Sequence, residues 1–209
     1  MRLAYRRINI IAKLLAMRVQ KKHPSKKQLK DFLQSTASQS YSYPEVGASD
    51  GTFPEDYLHS YDRFYLGTGQ AIWEQSRELI RSWQMFPSGW TFAYPGTTPT
   101  VGQEVAVCFR QFTFWWKNVC RVVYCYDEAN QYGFAYGTLS THVGRGEEYF
   151  GVERDEEGRC WFVIKAFSLP QYWGTRLFPR FMRAQQRNFI NQAGQQMQEL
   201  VRSLQVVAA

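Results

Sequence analysis

One block constrains this chain more than any other: CRVVYCYDEANQYGFAYGTLSTHVGRGEEYFGVE, from Cys120 to Glu153. It alternates large apolar or aromatic residues with small or polar ones and is punctuated by Asp127–Asn130 and Ser140–Gly146. That pattern predicts three antiparallel strands joined by short turns. Val122, Tyr124 and Tyr126 are expected on one face, opposite Arg121, Val123 and Cys125. Tyr132, Phe134, Tyr136 and Thr138 share a face, backed by the bulk-free Gly133, Ala135 and Gly137. A strand face without bulk admits a close neighbour, either a packed helix or the floor of a ligand site.

The flanking sequence extends the sheet. Tyr61–Leu66 reads as a strand, and the Gly67-Thr68-Gly69 turn leads into an amphipathic helix over Gln70–Trp83 with Thr68 as its N-cap. GTGQA at this turn lacks the length and the Lys-Ser/Thr ending of a phosphate loop. Strands follow around Trp90–Tyr94, Val105–Phe109 and Trp161–Phe167, the last after an Asp155–Gly158 hairpin turn. Phe114-Trp115-Trp116 reads as a loop or strand end, with core anchoring favoured over a membrane-interface role. Beyond Pro179, Met182, Phe189, Ala193, Met197, Leu200 and Leu204 recur at helical spacing, in a stripe that also takes in Phe178. The expected fold is α+β: a curved antiparallel β-sheet of about six to seven strands wrapped around a long C-terminal helix. In this helix-grip arrangement the space between sheet and helix suits an apolar ligand.

Charge separates an N-terminal arm from the body. Ten of the twenty-five Lys and Arg lie in residues 1–30, which have no acidic residue; residues 31–209 carry fifteen basic against eighteen acidic side chains. The net charge of +7 therefore belongs to the arm and does not indicate a nucleic-acid-binding domain. Residues 3–20 are predicted to be a partly amphipathic basic helix, and Ser35–Ser42 a linker, giving an arm over 1–40 and a domain over 41–209. The arm's expected roles are docking on the body, contact with an anionic membrane surface through residues 1–30, or an organelle presequence, which its Arg-rich, acid-free composition resembles. Its apolar run is too short and too charged to span hydrocarbon, and the expected compartment is cytoplasmic, at most peripheral to a membrane. The four cysteines contain no CxxC; they read as buried apolar residues, with no disulfide framework or metal site, and no cofactor is expected.

The pieces YPEVGA, LGTG, CRVVY, GFAYGTL, the isolated His142, GEEYF and KAFSLP occur in this order from Tyr43 to Leu169, over roughly three-fifths of the chain. In this the sequence resembles the uncharacterised family DUF1990, also called UPF0548, of bacteria and plants. It departs at Ser140-Thr141, where relatives tend to have Pro-Gly. The resemblance supplies no reaction. It implies a topology similar to lipid-transfer and polyketide-cyclase-like proteins, and plant relatives have been associated with plastid outer envelopes.

The candidate ligand-binding residues are Arg121, Tyr124, Gly133, Ala135, Tyr136, Gly137, Thr138, His142 and Glu147, with Arg121 or His142 orienting the ligand's polar end. His142 and Glu148 are the weak catalytic candidates: a carboxylate near the imidazole would raise its pKa and make a general base. Three readings follow in order. The first is a binding protein for an apolar or amphipathic small molecule; the second is a membrane-associated, channel-like protein. The third is an enzyme of unknown reaction, for which no nucleophile or second base is legible.

Overall fold

The computed structural model describes residues 18–171 and 179–208 of the 209-residue chain. Its elements in order are β1 (Val19–Gln20), α1 (Lys26–Thr36), a 3-10 turn (Ala48–Asp50), β2 (Leu58–Thr68), α2 (Gln70–Arg81) and β3 (Thr91–Tyr94). Then come β4 (Glu104–Gln111), β5 (Phe114–Asp127), β6 (Gln131–Thr138), β7 (Gly144–Arg154), β8 (Arg159–Pro170) and α3 (Pro179–Ala208).

The strands form one curved antiparallel sheet in the order β2-β8-β7-β6-β5-β4-β3, with β1 added beside β5. Every neighbour from β3 to β8 is consecutive in sequence, as successive turns dictate. Within this order only β2 pairs out of sequence, because α2 carries the chain across the sheet before β3 begins; β1 joins β5 separately. The strand–helix–six strands–helix order read from the sequence is present. Two elements are added before it, bringing the sheet to eight strands.

The inner face packs on α2 and α3. Ile72, Trp73, Leu79 and Ile80 of α2 are buried at helical spacing. On α3 the buried stripe is Ile190, Ala193, Met197 and Val201, each with no exposed surface, while Leu204 is exposed. Gly194 lets α3 lie against β2, since a Cβ there would sit 2.3 Å from the Phe64 ring. Thr68 does not cap α2: Gly69 holds the N-cap position without a side-chain bond, and the Thr68 hydroxyl pairs with the Tyr65 hydroxyl at 2.8 Å.

Two expectations about the arm change. The helix predicted over 3–20 falls outside the described residues up to residue 17, and its end is strand β1, with Val19 opposite Trp116 and Gln20 opposite Trp115. The basic stretch and the start of the linker form α1, opened by a reciprocal Ser25–Gln28 capping box. Its Leu29 and Phe32 pack on the outer face of the sheet against Cys108, Trp115 and Leu139. The i, i+3 apolar pair was diluted by Lys, Gln and Ser, so composition hid the periodicity. Trp115 is a buried anchor within β5, not a loop residue, while Phe114 beside it is exposed.

A bulge corrects the facing of β5. The β5–β6 register shifts between Val122 and Tyr124. An extra residue reverses the alternation beyond it. Val122 stays in the inner core, while Tyr124 and Tyr126 join Ala135 and Tyr149 on the outer face. The same bulge returns Cys125 to the inner-face side, opposite Phe134, so Cys120 and Cys125 do not face opposite ways.

Candidate functional site

Adjacent residues on a strand point to opposite faces, and on β7 this separates Glu147 from Glu148. The two carboxylates, neighbours in sequence, belong to different structures.

Glu147 points outward and is buried. The loop carrying Tyr43–Ser49 wraps over it. The Tyr43 hydroxyl donates to Oε2 at 2.6 Å, the Gly47 N–H to Oε2 at 2.8 Å and the Ser49 N–H to Oε1 at 3.0 Å. The Ser49 hydroxyl also donates to Oε1 and is itself 2.8 Å from the Tyr124 hydroxyl. Burial and the Glu147 carboxylate push the Tyr43 phenol far above its ordinary pKa, and Tyr124 is raised chiefly by burial. The small-residue face of β6 serves the same outer layer. A Cβ on Gly137 would lie 1.9 Å from the Tyr43 hydroxyl, and one on Gly133 would lie 2.5 Å from the Phe150 carbonyl oxygen and 2.7 Å from the Tyr149 hydroxyl. Tyrosine rings and neighbouring backbone, rather than a helix or a ligand, occupy that closeness.

Six of the nine ligand-binding candidates are thereby placed away from the inner face. Arg121 lies on the outer face in an ion pair with Glu104 at 2.6 Å, donates to the Gln39 carbonyl at 2.9 Å and covers the Tyr41 ring. Tyr124, Gly133, Ala135, Gly137 and Glu147 share that face, because one strand cannot offer consecutive residues to a single pocket.

The inner face holds a cavity of about 410 Å3 between the sheet and the N-terminal half of α3. Its volume falls in the range of small-molecule pockets, ~300–1,000 Å3. Val107, Phe109 and Trp116 form one wall, Ala166 and Ser168 another, and Met182 and Phe189 of α3 close it. Tyr136, Thr138, His142 and Glu148 also line it. Glu147 borders the cavity as well, but its carboxylate is taken up by Tyr43, Gly47 and Ser49 on the outer side, so these four are the sequence-derived candidates left to act in the cavity.

Their chemistry differs from the expected base pair. Glu148 is half-buried at the cavity wall, and its desolvation raises its carboxyl from 4.5 to about 7; the hydrogen bond from Tyr136, 2.7 Å to Oε2, pulls partly the other way. His142 is lowered from 6.5 to about 4, chiefly by burial, against the rise that a partner carboxylate would cause. The Gly144 N–H donates to His142 Nδ1 at 2.9 Å. The Gly144 carbonyl oxygen lies 3.0 Å from the same nitrogen, so Gly144 engages Nδ1 in either tautomer of the neutral ring. Between the two, Glu148 is the group that changes charge near neutrality. Thr138 is occupied structurally, its hydroxyl taking the Gly146 N–H at 2.9 Å and meeting the Ser42 hydroxyl at 2.6 Å.

Asn118 is a lining residue that the sequence reading missed. It is buried at 2% exposure, its Oδ1 accepts from the Val143 N–H at 3.4 Å, and its Nδ2 has no partner among the described residues. An orphaned donor beside a cavity is unusual, since buried polar groups are nearly always paired. Its signal was a Lys117-Asn118 polar pair set between the apolar Trp115-Trp116 and Val119-Cys120 of β5.

A protein from Deinococcus radiodurans named only as a UPF0548 protein is 35% identical over 158 residues, spanning 69% of this chain and 79% of its own. A Dictyostelium discoideum UPF0548 protein is 28% identical over 207 residues, covering 88% of this chain and 96% of its own. Among solved structures, the chain is similar to a Thalictrum norcoclaurine synthase point mutant in complex with a transition-state analogue. That match has a TM-score of 0.44 and 10% identity over 73% of this chain and 99% of that one. A major latex-like protein from Panax ginseng matches with a TM-score of 0.41 and 11% identity over 68% and 96%. The profile of the domain of unknown function DUF1990 matches residues 42–196, which run from the Tyr43 loop over Glu147 through the sheet and past the buried stripe's Ala193, so the chain belongs to the DUF1990 family.

Proposed function

We propose that the protein binds an apolar or amphipathic small molecule in the cavity between the inner sheet face and α3. The observation that carries this reading is the cavity itself, whose mostly apolar walls are interrupted by a few polar groups, among them Glu148, Arg145, Arg183 and Asn118 with its unpartnered Nδ2. Apolar walls with a few fixed polar groups give a ligand affinity and orientation respectively. Glu148 and Asn118, with Tyr136 and His142, take the orienting role first assigned to Arg121 or His142. Among the described residues no helix is long and apolar enough to cross a membrane.

Native mass spectrometry of the full chain purified from its own cells, followed by organic extraction, tests the proposal. The expected result is a stoichiometric added mass that is released by organic solvent. An apo mass, together with no binding of any apolar compound added at millimolar concentration, would overturn it.

A further inference from the structure

The cavity's carboxyl group specifies more than "apolar". Glu148 has one hydrogen-bond donor, Tyr136, and no ion-pair partner among the described residues. A desolvated carboxylate without a counter-charge is costly and persists only where something neutralises it. Below about pH 7 a proton does so in the empty protein. A cationic ligand would do so with an added Coulombic gain in a low-dielectric site.

The surroundings favour the cation. Phe86, Trp90, Phe109, Trp116, Tyr136 and Phe189 line the cavity. Aromatic faces attract ammonium groups, and more strongly when water is excluded. An anionic head group beside Glu148 would meet a like charge, and could be offset only by Arg145 or Arg183 elsewhere in the lining. Asn118 does not compete for the ammonium: it lies on β5 and Glu148 on β7, ~9–10 Å apart across the sheet, and the register sets Glu148 level with Val122, four residues along β5 from Asn118. Its free donor would take an oxygen elsewhere on the ligand.

We propose that the cavity accepts a protonated apolar amine, its ammonium group paired with the Glu148 carboxylate and its hydrocarbon against the aromatic wall. This rests on the reading of the cavity as a ligand site.

The titratable groups facing Glu148 leave it the one that responds near neutrality. Tyr136 on β6 and Cys120 on β5 are both pushed well up by burial, and His142 in the β6–β7 loop is held down. Two cationic residues also line the cavity, Arg183 on α3 and Arg145 on β7, the Arg145 guanidinium lying over the Tyr57 ring; neither forms an ion pair with Glu148 among the described residues.

Calorimetric titration of the full chain with octylamine, octanol and octanoate, which share a hydrocarbon and differ in head group, is the test. At pH 8 octylamine should bind about tenfold or more tightly than octanol, and octanoate more weakly than either. Glu148→Gln should abolish the amine preference while octanol still binds, and octylamine affinity should fall between pH 8 and pH 5 in the wild type but not in the variant. Octanol binding without an amine preference, or a preference surviving in a Glu148→Gln protein that retains its far-UV circular dichroism, would overturn the amine assignment alone. Binding of none of the three would overturn it together with the cavity reading.

Discussion

At the scale of single residues, Glu148 and His142 are shifted by the same cause in opposite senses. Burial penalises whichever form is charged, so the carboxyl goes up to about 7 and the imidazole down to about 4. The folded state holds an extra Glu148 proton between 4.5 and 7, so stability falls there as pH rises. For His142 the unfolded state holds the extra proton between 4 and 6.5, so stability rises there with pH. From pH 4.5 to 6.5 the two slopes oppose, each of them ~1.4 kcal/mol per pH unit. Glu148→Gln should therefore make stability rise with pH across that window relative to the wild type. It should also be the more stable protein at pH 8, by on the order of 3 kcal/mol. Urea unfolding at pH 5, 6.5 and 8 measures both effects. An unchanged pH profile would show that the Glu148 carboxyl stays solvated in the folded protein.

At the scale of elements, the outer layer works as a strap. The Tyr43–Ser49 loop closes over Glu147, and Gly137 leaves the room that the Tyr43 ring fills. Tyr43→Phe removes a hydrogen bond to a buried charge and should destabilise the protein by about 1.5–3 kcal/mol. Because that bond lies on the opposite face from the cavity, octanol affinity should stay within twofold, roughly the scatter of independent sites. Thermal unfolding and titration of the variant check the two halves of the statement.

Much of this layer was legible in the sequence. The alternation of Tyr132–Thr138 placed the inner wall correctly, and the YPEVGA and GEEYF pieces are the two sides of the strap. The strand rule already implied that Glu147 and Glu148 diverge, yet their adjacency in sequence drew them into one candidate site. The Val123 bulge left no mark in composition, so Tyr124 was given the wrong face. Helix α1 was hidden because Leu29 and Phe32 gain their burial from Trp115 and Leu139, over eighty residues away along the chain.

At the scale of the molecule, the packing is uneven by design of the fold. From Ile190 onward α3 fills the sheet with Ile190, Ala193, Met197 and Val201, whereas the turns before it stand over the cavity with Met182, Gln186 and Phe189. Core packing and the cavity thus fall to different turns of one helix. Helix-grip architecture was readable from element order. Which end of the helix would stand open was not, since it depends on side-chain volumes meeting across distant strands.

The most direct test fills the cavity without touching its charges. Val107, half-buried on its wall, is replaced in Val107→Trp, and binding of the neutral dye Nile red is followed by fluorescence in both proteins. We expect saturable one-to-one binding to the wild type and its loss in the variant, with both proteins folded by circular dichroism. Equal binding to the two folded proteins, or none to the wild type, would contradict the assignment of this cavity as the ligand site.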